Sequence, residues 1–274
     1  MERLFMKTAV ALMALSTLAI PYRAPGQTTE PDQTPAQAPE PSPVLQLAPL
    51  ERPASWKLLV PNLIHDQERI WSSPARLPHG KRWIPAAAIL ATTAALLALD
   101  PAEATYFRRT PAFHGFNNIF TGNATAIGTL AAPVSLYAIG LVRRDAKMQR
   151  TALLAGEAVG DAEVLTTVLK DTTRRIRPAG VPSGGSYSDT WFESGGSFIR
   201  GSGSFPSGHT IAAFSVATVI ARRYGNHRWV PYAAYGMATL VGFSRLSLLS
   251  HFSSDVFMGG ALGYSISRFI VLRQ

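Results

Sequence analysis

From Trp83 onward, apolar positions run in long stretches separated by short polar or basic breaks. The stretches cover roughly 84–99, 124–142, 151–169, 209–223, 229–243 and 255–272, and Ala, Leu, Ile and Gly dominate them. Runs of this length exceed ordinary strands and suit buried or membrane-embedded helices. The pattern predicts an all-α fold, a helical bundle of about six core helices. Pro85, Pro133 and Pro231 lie near the starts of these stretches or inside them, where they set boundaries or kinks.

The chain ahead of this region has a different character. Residues 1–24 read as an export signal: Arg3 and Lys7 precede an apolar run from Thr8 to Ile20 that is short for a span, and Ala24 marks a candidate cleavage edge. An uncleaved anchor helix is the alternative. Residues 25–54 (TEPDQTPAQAPEPSP within them) hold too little apolar surface to fold and read as an extended, Pro-rich disordered linker. Residues 55–83 follow as a linker or pre-core segment, and 84–272 form the helical domain.

Inside that domain, the connection between 169 and 209 is rich in Gly and Ser, with SGGS at 183–186 and again at 194–197. Loops of this length inside compact domains are functional or disordered. This one is expected to form a lid or rim, with Trp191 and Phe192 either touching a substrate or pinning the loop to the body.

Composition narrows the classes. Charged residues make up 16% of the chain, against roughly 25% in soluble domains, which points to membrane segments or a strongly buried helical core. The mean hydropathy of +0.10 is low for a multi-span protein, but the polar N-terminal region dilutes it. The net charge of +9 admits nucleic acid, an anionic membrane surface or an anionic substrate. Zinc-finger spacing and RNA-binding signatures are absent, which removes nucleic acid. With no cysteine, disulfides, thiolate metal sites and cysteine nucleophiles are excluded.

Three short segments carry chemistry: Lys170 to Pro178 (KDTTRRIRP), Pro206-Ser207-Gly208-His209, and Ser244-Arg245 followed by His251 and Asp255. Lys170, Arg177 and Arg245 fall at the ends of apolar helices, where cations are costly unless they share an anionic partner. Phosphate is such a partner, met by planar Arg forks and a Lys point charge. Pro206 and Ser207 open a helix whose free N–H groups bind anions, Gly208 allows close backbone approach, and His209 falls in the first turn, placed to give a proton to a leaving oxygen. His251 and Asp255, four apart, would share one helix face, with the carboxylate fixing the imidazole tautomer for nucleophilic attack. No metal-ligand cluster accompanies them. Taken singly, each segment also fits an ordinary helix start, surface contact or solvated basic face.

Together, in this order, the segments resemble the three-part signature of the phosphatidic acid phosphatase type 2 / vanadium haloperoxidase superfamily: K-x6-RP at 170–178, PSGH at 206–209 and SR-x5-H-x3-D at 244–255. The resemblance covers about 150–272. It implies a helical bundle with its active site at the helix ends on one face, and a metal-independent phosphatase without a cofactor. Lys170, Arg177 and Arg245 would hold the phosphate oxygens, with Ser207 and the Gly208 amide completing the cradle. His251 would form a phosphohistidine, Asp255 would orient it, and His209 would protonate the leaving group and later activate water. Arg174 and Arg175 lie outside the signature and receive no catalytic role. The remaining histidines, His65, His79, His114 and His227, are expected to be structural or exposed.

Two rival functions differ from this one. A vanadium haloperoxidase would place vanadate in the same cradle, although those enzymes are generally much longer. A transporter or scaffold would use the basic loops only to set topology. Those loops, 143–150 (RRDAKMQR) and 222–228 (RRYGNHR), would be cytoplasmic, which puts all three motifs together on the opposite, periplasmic face. Against integration, Glu157, Asp161 and Glu163 are expensive in lipid unless paired. An integral inner-membrane protein with a periplasm-facing site is favoured over a soluble periplasmic bundle. The expected substrate is a phosphorylated lipid or small molecule, a monoester or a diphosphate.

Overall fold

The computed structural model describes residues 52–76, 83–193 and 202–273. The signal, most of the Pro-rich linker, His79 and the second SGGS lie outside these residues. Every regular element among the described residues is helical.

Helix α1 spans Leu59–Arg76, α2 Trp83–Arg109, α3 His114–Ile119 and α4 Gly122–Val142. Helix α5 spans Ala146–Thr173, α6 Gly208–Arg223, α7 Trp229–Ser247 and α8 Ser253–Ile266, which runs on into a π-helical turn at Ser267–Val271. The six apolar stretches thus become α2 and α4 to α8. Pro85 and Pro231 sit in first turns, where the missing N–H costs nothing. Side chains cap two helices in sequence-legible ways: Thr121 accepts from the Ala124 amide, and Asp145 accepts from Met148 at 3.0 Å.

Helix α6 is the central element, packed between α5, α7 and α8. Its core partners are Leu154, Ala158, Ala162 and Leu165 on α5 and Ile266 and Val271 at the C-terminus, around Ile211, Val216 and Val219. A second cluster joins Ala213 and Ala217 to Ala238 and Val241 on α7. Small residues let these backbones approach closely. At Gly263 an added Cβ would collide with the Ile211 carbonyl oxygen.

Residues 55–83, read as a linker or pre-core stretch, carry α1, which packs on α5. Its inner face mixes apolar Ile70 with polar groups. Asp66 is fully buried, while Val60, Ile64 and Trp71 face outward. The inward polar groups answer the acids of α5. Asn62 donates to Glu157 at 2.8 Å, Gln67 donates to Asp161 at 2.9 Å, and Arg52 pairs with Asp66 at 2.6 Å. Two of the three acids expected to be expensive are therefore paired inside the protein, and Glu163 is exposed.

The runs Trp83–Arg109 and Pro111–Val142 are long and apolar enough to cross a membrane, and only 17% of each apolar window is buried in the protein. Ile127, Leu130 and Val134 on α4 all face outward. The two basic loops meet at one end of the bundle: Arg223 donates to Thr151 at 2.7 Å and Lys147 lies over the Tyr224 ring at 4.8 Å.

Candidate active site

At the other end of the bundle, four chain turns converge. Helix α5 ends where Arg174 takes a left-handed conformation (φ 43°), which swings the following residues across the bundle end. Between α7 and α8, Leu249 does the same (φ 53°), and its carbonyl accepts from the Ala179 amide at 2.9 Å. Backbone bonds join the turns: Ser204 N–H to Arg175 C=O at 2.7 Å and Ser207 N–H to Asp255 C=O at 3.0 Å.

All eight residues selected from the sequence meet here. The Lys170 ammonium, in the last turn of α5, lies 3.3 Å from the position a Cβ on residue 208 would take, so glycine there leaves room for the charge. Burial, and then Arg177, lower the Lys170 pKa. Arg177 is exposed at the rim of the loop after α5. Arg245, in the last turn of α7, is buried. Its Nη2 donates to the Phe120 carbonyl at 2.7 Å and to the Ser244 hydroxyl at 2.8 Å. His209 is the second residue of α6, and its Nε2–H donates to the Gly122 carbonyl at 3.0 Å, which leaves Nδ1 for proton transfer. Burial, then Arg245, push its pKa down to about 4.

Two expectations need correction. Ser207 is the N-cap of α6 by position, but its hydroxyl bonds the Thr210 hydroxyl at 2.9 Å, not a backbone N–H. His251 and Asp255 do not share a helix face: His251 lies in the turn before α8, and Asp255 is in that helix's first turn, folded back to accept from the Phe252 amide at 2.9 Å. The His251 Nδ1–H donates to the Ser204 carbonyl at 2.7 Å, while the Asp255 carboxylate stands 3.8 Å away. Asp255 reaches the imidazole through Ser204, whose hydroxyl donates to it at 2.6 Å. Burial alone would raise the Asp255 pKa, but the nearby His251 imidazole and the charge of Arg175 outweigh it and leave the pKa lowered. Burial dominates at His251 and lowers its pKa.

Sequence reasoning missed the support behind this pair. Arg175 is 2% exposed. It donates to Asp255 at 2.6 Å, to Ser254 Oγ at 2.8 Å and to Asp100 at 2.7 Å. Asp100 and Glu103 extend from α2 to the N-terminus of α8, where Glu103 accepts from the Ser253 amide at 3.0 Å and Asp100 from the Ser254 amide at 3.1 Å. The one available signal was the pair of acids closing an otherwise apolar helix. Trp191 lies over Arg175 at 4.6 Å and against Phe205, so it pins the loop to the body, while Phe192 is exposed. His65, His114 and His227 are exposed, as expected.

Comparison with known proteins adds three findings. Residues 151–274 match the family model described as PAP2 superfamily. A lipid A 1-phosphatase of Porphyromonas gingivalis is 43% identical over 61 residues, which are 22% of this chain and 14% of that protein. The matched stretch thus spans a small part of that relative's length. A solved structure, the first transmembrane PAP2 type phosphatidylglycerolphosphate phosphatase from Bacillus subtilis, superposes with a TM-score of 0.45 at 24% identity, covering 78% of this chain and 92% of that one. Residues 151–274, somewhat under half of the chain, hold all three motifs and carry the likeness to the PAP2 superfamily.

Proposed function

We propose that the protein is a phosphatase that hydrolyses a phosphate monoester or diphosphate, in preference a lipid phosphate, through a phosphohistidine on His251. The observation that carries this reading is the His251 Nδ1–H bond to the Ser204 carbonyl at 2.7 Å. It fixes the tautomer in which Nε2 keeps its lone pair, and burial keeps the ring neutral.

In the first step Nε2 attacks phosphorus and the bond to the leaving oxygen breaks. Protonated His209 gives its proton to that oxygen, so the leaving group departs as an alcohol or a phosphate. Lys170, Arg177 and Arg245 offset the charge on the phosphoryl oxygens, together with the free N–H groups at the start of α6. In the second step His209 takes a proton from water, the water oxygen attacks phosphorus, and the P–N bond breaks. Inorganic phosphate leaves and His251 is restored. The groups around the phosphoryl site are cations, a donor set that repels metal ions, so the charge work of a metal falls to the cradle.

Lipid phosphate is the favoured substrate because the two apolar runs fit a membrane and the lipid A relative is named for a lipid. The site lies at the bundle end opposite the basic loops, an arrangement that supports a periplasm-facing site. The chain has no native thiol. Cysteines placed in 183–193 should therefore react with an impermeant maleimide in cells with a permeabilised outer membrane, while those at 145 or 226 stay protected. The reverse labelling would invert this topology.

The test of function is turnover by the detergent-purified protein of p-nitrophenyl phosphate and of a panel of lipid and soluble phosphates, with EDTA present. Activity that survives the chelator, and is lost in His251→Ala, supports the proposal. Activity that is lost on chelation and restored by Mg²⁺ or Zn²⁺ contradicts it.

A further inference from the structure

We propose that Arg175 is a positioning residue for the phosphatase reaction, bridging Asp100 on α2 to Asp255 on α8 and so holding Ser204 and His251 in attacking geometry. This rests on the reading of His251 as nucleophile.

The guanidinium has no path to a phosphate. It is 2% exposed, and its donors are committed to Asp100, Asp255, Ser254 and, from Nε, to Thr190 Oγ1 at 3.3 Å. Its plane is held between the Phe252 ring at 4.0 Å and the Trp191 ring at 4.6 Å. A buried Arg is retained where a planar fork must serve two fixed carboxylates, which a lysine does not match. These carboxylates belong to different helices, and both bind the start of α8: Asp100 accepts from the Ser253 hydroxyl at 3.0 Å and Asp255 from the Phe252 amide at 2.9 Å. Without Arg175, two anions would face each other behind the nucleophile. From Asp255 the chain of contacts runs through the Ser204 hydroxyl to the residue whose carbonyl holds His251. Arg177, two residues on, is exposed at the site's rim, so one short loop supplies both an outer cation for substrate and an inner cation for the nucleophile's support.

A structural tie between α2 and α8 and a positioning role differ in their pH signature. The charged groups facing His251 and Asp255 are Asp100 and Glu103 from α2, Lys170 from α5, Arg175 and Arg177 from the following loop, and His209 from α6. Removing the Arg175 charge raises the pKa of Asp255, which must stay ionised. It also unmasks the Asp255 charge toward His251, which must stay neutral. Both effects move the acid limb of kcat/KM to higher pH.

The experiment compares wild type, Arg175→Gln and Arg175→Lys in detergent, measuring kcat and kcat/KM against pH with p-nitrophenyl phosphate, and Ki for inorganic phosphate. Arg175→Gln should lower kcat by about 10–100-fold, as loss of an outer supporting partner does. Its acid limb should move up by about one unit or more, and phosphate Ki should hold, since the cradle is untouched. Arg175→Lys should keep the acid limb of wild type and lose part of kcat, because one ammonium cannot serve both carboxylates. An unmoved acid limb in Arg175→Gln overturns the assignment. If that variant does not fold, wild-type kcat in Arg175→Lys overturns it. Failure of wild type to turn over any phosphate would refute the phosphatase reading instead.

Discussion

His251 and Ser204 are joined by the shortest contact the imidazole makes, Nδ1–H to backbone carbonyl at 2.7 Å. A backbone acceptor is a different device from the side-chain carboxylate that the His-x3-Asp spacing suggests. No side-chain substitution removes the acceptor itself, so the tautomer is set by the course of the chain between α5 and α6.

It follows that Asp255 and Ser204 variants should lose activity in graded steps. Asp255→Asn should cost about 10–100-fold in kcat, the range for groups that support a reacting ligand. Ser204→Ala keeps the carbonyl and loses one hydroxyl bond, which should cost roughly fivefold. Steady-state kinetics on both variants check the order. Ser204→Ala falling below Asp255→Asn would mean that the hydroxyl, not the carbonyl, holds the ring.

Activity should peak on the acid side of neutrality. With its pKa pushed to about 4, His209 is a neutral imidazole in neutral solution, protonated on Nε2 alone, so the proton that Nδ1 passes to the leaving group must arrive with the substrate. The reactive pair is enzyme with both imidazoles neutral plus the phosphate monoanion, and kcat/KM should fall as pH rises through the substrate's second phosphate pKa of about 6. Below that, protonation of His251 removes the nucleophile. Substrates with different phosphate pKa values should shift the basic limb accordingly. A basic limb that ignores the substrate would contradict this account of His209.

Loss of His209 should depend on the leaving group. In rapid-quench measurement of the first step, His209→Ala should slow an alkyl phosphate by about 10²–10⁴-fold, the usual worth of general acid catalysis. p-Nitrophenyl phosphate, whose leaving group needs little protonation, should be slowed far less. Equal losses on both substrates would show that His209 does not act as the acid.

The close approach of α6 and α8 predicts a stability defect remote from the chemistry. In Gly263→Ala the new methyl meets the Ile211 carbonyl and Phe214, and overpacking of this kind costs about 1–3 kcal/mol. Gly236→Ala, on α7, meets nothing within 4 Å and should be neutral or mildly stabilising. Thermal melts in detergent separate the two.

The apolar stretches and the three motifs were legible because each signal is local: long apolar runs, a Pro-Ser-Gly-His helix start, cations at helix ends. Helix α1 was not, because its inner face is partly polar, with Asn62, Asp66 and Gln67 turned inward toward acids of α5 nearly a hundred residues away. The last turns of α2 were not, because Asp100 and Glu103 look like the end of an apolar helix until α8 is packed against them. Arg175 sat among neighbours of like charge, and only the turn at Arg174 decides which cation faces inward. The tautomer of His251 depends on a carbonyl, which side-chain identity does not report.

The most direct test of the central claim is chemical trapping of the phosphoenzyme. Wild type quenched during turnover of ³²P-labelled substrate should yield an acid-labile, base-stable phosphoprotein that maps to His251. His209→Ala, given a good leaving group, should still form it and accumulate it, because the second step also needs His209. His251→Ala should form none. A phosphoenzyme that persists in His251→Ala, or maps to His209, would contradict the account.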